Sequence, residues 1–448
     1  LLAFLTGATF GWTANLTNYI KDYPDLDLWI SWISSSPTIG GILGSIVFGI
    51  LMKQIGRKSS LILTGVFFFV GYFILAIAKT FAALCLGRAL CGMAMAGTFS
   101  VGPIYLAEMA ESRFRGIVGG TTTSFIMFGI FISYTLGPIL EHVHFNTLFL
   151  LFSIGAISNL VYLDESFYFT MTKNIFISFN TFLKYRKTNK NINKHDKYIE
   201  DNEDNNNENN NENNENNENN ENSENSEFEK IYKYLSSKKV GSLKDVFLTK
   251  NGRKGLFIGT MLILFQQMSG ILCLFFFLPL ILKGQIPIIC ISVAQLLMSV
   301  ISLTFLDRFE RRGLLTIVVI GCCACELSLG IYYFVLSNGF SEIPVIPIIL
   351  LSFFVLFYNS GLGSLPWVLM CESLPPNISS YINIIVSVVY WTSGFVITYY
   401  FNFLVETIGL YNVYWIFAAS LIVFVGFIWQ FVPETSNKEL IDIHEMKK

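Results

Sequence analysis

Few side chains in this sequence have the types and spacing that chemistry requires. The densest group is Cys322-Cys323-Ala324-Cys325, followed directly by Glu326. The cluster invites a metal reading, but no histidine lies nearby and free cysteine packs as a small buried hydrophobe. It reads as core, and neither metal nor cofactor is expected. His142 and His144 form a lone His-x-His in a stretch expected to be a loop, solvated rather than ligating. Arg88, Glu108 and Glu326 stand out through their surroundings, because each lies inside or at the edge of a long apolar run. A charge at the centre of a membrane helix costs about 2.5–3.5 kcal/mol on insertion scales, so each should have a partner.

The elements that must position these residues follow from composition. Of 448 residues, 53% are hydrophobic and only 14% charged. Soluble domains carry about 25% charged residues. About half of the charges fall between Asp164 and Lys254, which leaves the remainder of the chain nearly uncharged. A soluble enzyme is excluded, and a net charge of −2 gives nucleic acid no basic face. The eight cysteines sit in apolar stretches and define no extracellular disulfide framework. The chain begins at Leu1 inside an apolar run, so a trimmed N-terminus is expected and no signal peptide can be judged.

Crossing about 30 Å of hydrocarbon takes roughly 20 apolar residues. That ruler gives twelve spans, near 1–20, 28–52, 59–79, 81–109, 115–140, 147–163, 254–282, 286–306, 313–337, 344–371, 377–404 and 410–432. The fold class is therefore all-α membrane protein. Residues 1–163 form one six-helix set and 254–435 a second. A linker over 164–253 joins them, and a tail over 436–448 closes the chain. The Asn/Glu repeat from about Asn202 to Glu227 buries too little to offset ordering entropy and is expected to be disordered. A tolerated low-complexity insertion is preferred to an aggregation or signalling device. Lys53, Arg57, Lys58, Arg113, Arg115, Arg308, Arg311, Arg312, Lys447 and Lys448 lie on one side of the spans. The other side offers Lys21, Lys79 and Lys283, so both termini and the linker are expected to be cytoplasmic. Six spans, a loop and six more is the plan of transporters built from two repeated halves.

Motifs narrow the choice. KQIGRKSS (53–60) and DRFERRG (307–313) close spans two and eight, at equivalent places in the two halves. Span four carries GRALCG (87–92) and PIYLAE (103–108), and Arg115-Gly116 opens span five. Span seven holds FQQMSGI (265–271), span ten SLPWVLMCESLPP (364–376), and VPET (432–435) ends the last span. In this order the motifs resemble the sugar porter family of the major facilitator superfamily across essentially the whole chain. The resemblance implies two six-helix bundles around a central cavity open alternately to each side.

It also implies roles. Residues matching Arg57, Arg88, Glu108 and Arg115 form cytoplasmic ion pairs in similar transporters, and Asp307, Arg308, Arg311, Arg312 and Glu372 occupy the corresponding positions in the second half. Pairs made in one state and broken in the other give a bistable gate. Lys53 stands where an Asp is usual, and Ser379-Ser380 replaces an Arg-Gly. For the solute, Gln266 and Gln267 match the hydroxyl-binding pair, while Leu272 replaces an Asn and Phe276 and Phe277 replace two Tyr. Thr123 replaces a Gln, with Ile126 one turn on. Trp367 matches an aromatic that packs on substrate. In the span-eleven Asn-Trp-Thr-Ser-Asn pattern Trp391 matches while Tyr390 and Gly394 replace the two Asn, and Gln295 and Asn359 align more loosely. Fewer hydroxyl-binding groups imply a changed solute preference.

The span-one acid of proton-driven relatives is replaced by Thr13 in Phe10-Gly11-Trp12-Thr13. A facilitative transporter of a small polyhydroxylated solute, sugar or polyol, is the preferred reading. Proton symport through Glu326 is one alternative, although a Glu paired with a neighbouring helix or snorkelling near an end is preferred. A non-transporting sensor signalling through the central loop is the other. The expected partners are the solute and the bilayer of a plasma or organelle membrane, with a monomeric transport unit.

Overall fold

The computed structural model describes residues 1–13, 29–109, 115–162, 243–282, 284–303, 310–373 and 379–432. Every described element is a helix, as a lipid environment demands of a chain that must pair its backbone groups internally. In order they are α1 (Leu2–Gly11), α2 (Ile30–Gln54), α3 (Arg57–Ile77), α4 (Phe81–Met109), α5 (Arg115–Leu136) and α6 (His142–Tyr162). After a short helix at Leu243–Leu248 come α7a (Lys250–Gln267), α7b (Ile271–Ile281), α8 (Gln285–Ser302) and α9 (Arg311–Ser337). The set closes with α10a (Val345–Phe357), α10b (Leu365–Ser373), α11 (Ser379–Ile408) and α12 (Leu410–Phe431). Nine stretches among the described residues are long and apolar enough to cross a bilayer, and three shorter apolar helices occupy the places of spans one, five and six.

Packing repeats with an offset of six helices. In the first half α1 lies on α5, α2 on α4 and α3 on α6; in the second α7a lies on α11, α8 on α10a and α9 on α12. The main seams between the halves, α2 on α11 and α5 on α8, exchange under the same offset. The membrane-embedded helices are thus two copies of one arrangement meeting face to face. Large apolar side chains such as Ile77, Leu151, Ile317 and Trp429 remain exposed on the outside, where lipid is their solvent.

Two spans are not continuous. Span seven breaks at Ser269-Gly270, where Gly270 has φ +71, and a Cβ there would meet the Phe417 ring at 2.5 Å. Conformation and space both require glycine. Carbonyls near the break find side-chain donors, with Ser269 Oγ donating to Gln266 O at 2.7 Å and Ser420 Oγ to Met268 O at 3.0 Å. Span ten is interrupted by a π-turn at Tyr358–Leu362.

The prolines explain several polar contacts. A proline in a helix leaves the carbonyl four residues earlier without its partner. Pro37 frees Ile33 O, which accepts from Ser36 Oγ at 2.9 Å and Arg88 Nε at 3.4 Å. Pro279 frees Phe275 O, which accepts from Tyr134 Oη at 2.7 Å. Pro366 frees Leu362 O, which accepts from Gln266 Nε2 at 2.9 Å. In each case a side chain from another helix replaces the missing N–H.

His142 and His144 are not in a loop. They lie on the first turn of α6, where His142 Nε2 is 2.8 Å from Leu75 O and its ring stands edge-on to Trp12. Helical structure starts five residues before the hydropathy ruler placed span six, because the polar first turn packs against α1 and α3.

Candidate functional site

The two glutamines at the end of α7a face different neighbours. Gln266 Nε2 lies 2.9 Å from Leu362 O, 3.0 Å from Gly363 O and 3.3 Å from Tyr358 Oη, so it docks on the π-turn. Gln267 Nε2 donates to Tyr390 O of α11 at 3.1 Å. Since a carbonyl only accepts, these contacts fix the amide orientation and leave each side-chain oxygen as the unused end. Both oxygens are buried without a partner. Gln295 on α8 and Asn359 in the π-turn share the feature: each has a buried amide oxygen without a partner, although Asn359 Nδ2 donates to Val355 O at 2.9 Å. Buried acceptors lacking donors are costly and call for an occupant that carries O–H or N–H groups.

An aromatic shelf adjoins Gln267. Trp367 and Tyr390 meet edge-on at 5.5 Å, and Tyr390 and Trp391 are perpendicular at 5.0 Å. Phe99, from α4, joins them from the first half at 6.0–6.5 Å. Rings at these separations attract each other and offer flat apolar faces. Trp391 lies directly over Gly41 of α2, where a Cβ would run into the indole, so the seam closes here only because residue 41 has no side chain. Gln266 and Gln267 are each 1% exposed, which makes this conformation occluded at the glutamines.

The other expected solute-binding residues are spread more widely. Leu272 is buried at the start of α7b, and a Cβ on Gly394 would touch both it and Gln267, so it stands beside the pair. Thr123 is half-buried on α5. Ile126 is buried in the core, with its backbone against Gly7 where α1 packs on α5. Phe99 and Tyr358 were not expected from the sequence, since an aromatic in an apolar span carries no signal of its own.

Of the expected charge cluster, only Arg57, Arg88, Arg311 and Arg312 have described side chains. Arg57 is exposed at the start of α3. Asp307 and Arg308 lie outside the described residues, as do the side chains of Glu108, Arg115 and Glu372. Arg311 and Arg312 are half-buried at the start of α9; Arg312 donates to Trp429 O and stands 5.0 Å over the Trp429 ring, a contact within the second half. Arg88 does not belong to this end of the molecule. It is twenty residues from Glu108 on the same helix, about 30 Å away. It is fully buried, and its Nη1 donates to Thr9 O at 2.7 Å while Nε and Nη2 reach Ile33 O and Ser34 O at 3.4 and 3.5 Å.

Glu326 neither snorkels nor pairs. It is 2% exposed, its Oε2 has no partner, and no basic side chain meets it among the described residues. It lines a cavity of about 20 Å³ with Gly270, Cys273, Tyr414 and Phe417, beside the break in span seven. That is room for about one water. Nearby Cys322 and Cys323 point apart, towards Phe354 O and Ala418 O.

The sequence profile described as "Sugar (and other) transporter" matches residues 3–446. The chain belongs to that family. It is a multi-pass membrane transporter and not an enzyme. Among similar proteins are the facilitated trehalose transporters Tret1 of Culex quinquefasciatus and Apis mellifera ligustica. They are 26% identical over 422 residues and 27% over 427, in each case 92% of this chain and 76% and 78% of theirs. The Anopheles gambiae Tret1 is 26% identical, but this chain spans only 50% of its length. Among solved structures, the inward-open xylose transporter XylE of E. coli superposes with TM-score 0.69 at 19% identity, over 100% of this chain and 98% of that one. XylE bound to 6-bromo-6-deoxy-D-glucose gives 0.70 at the same identity and coverage. These likenesses establish the major facilitator fold of two six-helix bundles.

Proposed function

We propose that the protein is a facilitative carrier of a small polyhydroxylated solute, sugar or polyol, working by alternating access. The observation that carries this reading is the set of buried amide oxygens on Gln266, Gln267, Gln295 and Asn359, all unsatisfied in the occluded conformation. Solute hydroxyls donate to acceptors of this kind, and the Phe99–Trp367–Tyr390–Trp391 shelf covers a sugar's apolar C–H face. Leu272, Phe276 and Phe277 add no hydrogen bonds, so a solute with fewer hydroxyls on that side fits best. The names of the trehalose-transporting relatives place a disaccharide on the list of solutes to test.

In this scheme residues 1–163 and 254–435 are the two rocking bundles, 164–253 is a cytoplasmic linker and 436–448 a cytoplasmic tail. Arg57, Glu108, Arg115, Asp307, Arg308, Arg311, Arg312 and Glu372 close the cytoplasmic mouth through ion pairs that break as it opens. The transport unit is a single chain, and the absence of an acid at Thr13 favours flux down the solute gradient without proton coupling.

The test is liposome counterflow against hexoses, polyols, disaccharides and non-sugar metabolites. Exchange of at least one sugar or polyol is expected, and its loss in Gln266→Ala with Gln267→Ala while the protein stays folded. Undiminished exchange in that double variant would remove the site.

A further inference from the structure

Arg88 is a buried cation that a neutral solute does not need. No carboxylate meets it among the described residues, and a buried charge without compensation is strongly unfavourable. Its partners are three main-chain carbonyls, of Thr9, Ile33 and Ser34, and two ring faces, Trp12 at 4.8 Å and Phe276 at 5.6 Å. Four of the five lie in the first half. Phe276 belongs to α7b, in the second.

The neighbouring residue is gripped in the same way. Tyr134 of α5 donates to Phe275 O at 2.7 Å, the carbonyl that Pro279 leaves open. Phe10 of α1 packs on both rings, at 5.5 and 5.8 Å. Adjacent residues of one half-helix are therefore held by two buried polar side chains from the opposite half.

We propose that Arg88 and Tyr134 form a clasp that holds α7b against α1, α4 and α5 and keeps the mouth at that end shut, with ring faces doing what a carboxylate would do. The inference rests on the alternating-access reading above. When the mouth opens, Arg88 keeps the carbonyls of its own half, so its charge is never bare. Only the contacts to Phe275 and Phe276 are lost, and a contact present in one state alone is what biases an equilibrium. Arg88 and Tyr134 are positioning residues: they touch α7b rather than solute.

The test reads opening directly. Thr13 is 3% exposed at the end of α1 and its hydroxyl has no partner, so Thr13→Cys disturbs little. The full chain carrying that substitution is reconstituted in nanodiscs and exposed to a hydrophilic methanethiosulfonate, with the labelling of the native chain subtracted. A desolvated cation–ring contact predicts labelling roughly ten-fold faster in Phe276→Leu, and the native slow rate in Phe276→Trp. Tyr134→Phe should also accelerate it, and Arg88→Gln combined with Phe276→Leu should be no faster than Phe276→Leu alone. Arg88→Gln by itself strips carbonyls of their donor and disturbs the first half, so Phe276→Leu carries the test. Equal labelling in Phe276→Leu and Phe276→Trp overturns the clasp. Labelling needs no solute, so a failed counterflow panel alongside faster labelling of the introduced thiol would sink the sugar reading and spare the clasp, and the converse result would do the reverse.

Discussion

At the scale of single residues, the proposed site combines a structural duty with a binding one. Gln266 uses its amide N–H groups to satisfy the Leu362 and Gly363 carbonyls and keeps its oxygen unused. Gln266→Leu should therefore cost about 1–3 kcal/mol of stability from the stranded carbonyls, read as a lower melting temperature in detergent, as well as lost transport. Glu326 lies beside Gly270 and Tyr414, at the break that follows Gln266, and touches no basic group among the described residues. Glu326→Gln should leave downhill exchange near native, and a protonophore should not reduce uptake by the native chain; collapse of uptake in both would restore a proton-coupled mechanism. Gln266 and Gln267 were legible because a motif fixed their place in span seven. Arg88 was misplaced because a motif supplied its role, although the length ruler alone sets it seven residues into a span whose other end carries Glu108. The donor Tyr134 could not be found from sequence, because a proline announces an open carbonyl but not which distant side chain fills it; nor could Tyr358, whose hydroxyl accepts from Gln266 Nε2.

At the scale of elements, length and hydropathy located twelve spans because lipid leaves the backbone no alternative to the helix. They did not locate the interruptions in spans seven and ten, since breaking an apolar helix changes its hydrogen bonding and not its composition. Gly270 is the residue on which the first interruption turns. Gly270→Ala would force φ +71 on an alanine and press its Cβ into Phe417. A loss of about 1 kcal/mol or more is expected, measured by thermal unfolding. The proline account makes a sharper claim. Pro366→Ala returns an in-helix donor to Leu362 O, so Gln266→Leu should cost less on that background than on the native one. A coupling of about 1 kcal/mol in the double-mutant cycle is expected, and strict additivity would mean that the amide does not serve that carbonyl.

At the scale of the whole molecule, the offset of six helices makes the halves alike in packing while their sequences place unlike groups at the two ends. The central insert lies outside the described residues and its Asn/Glu repeat offers little apolar surface, so removing residues 202–227 should leave counterflow unchanged; loss of exchange would give the insert a role in transport. The clasp at α7b contains rings, a guanidinium and main-chain carbonyls, and no ion pair. Contacts of that kind, sealed from water, are little screened by electrolyte, whereas paired charges at an exposed rim weaken within a Debye length of about 8 Å at physiological ionic strength. Raising salt should then loosen one entrance and spare the other, changing the half-saturation measured from each face by different factors. In the facilitative cycle proposed above, powered by the solute's own gradient alone, the maximal rates must shift in compensation, and the final concentration ratio across the bilayer stays at unity whatever the salt.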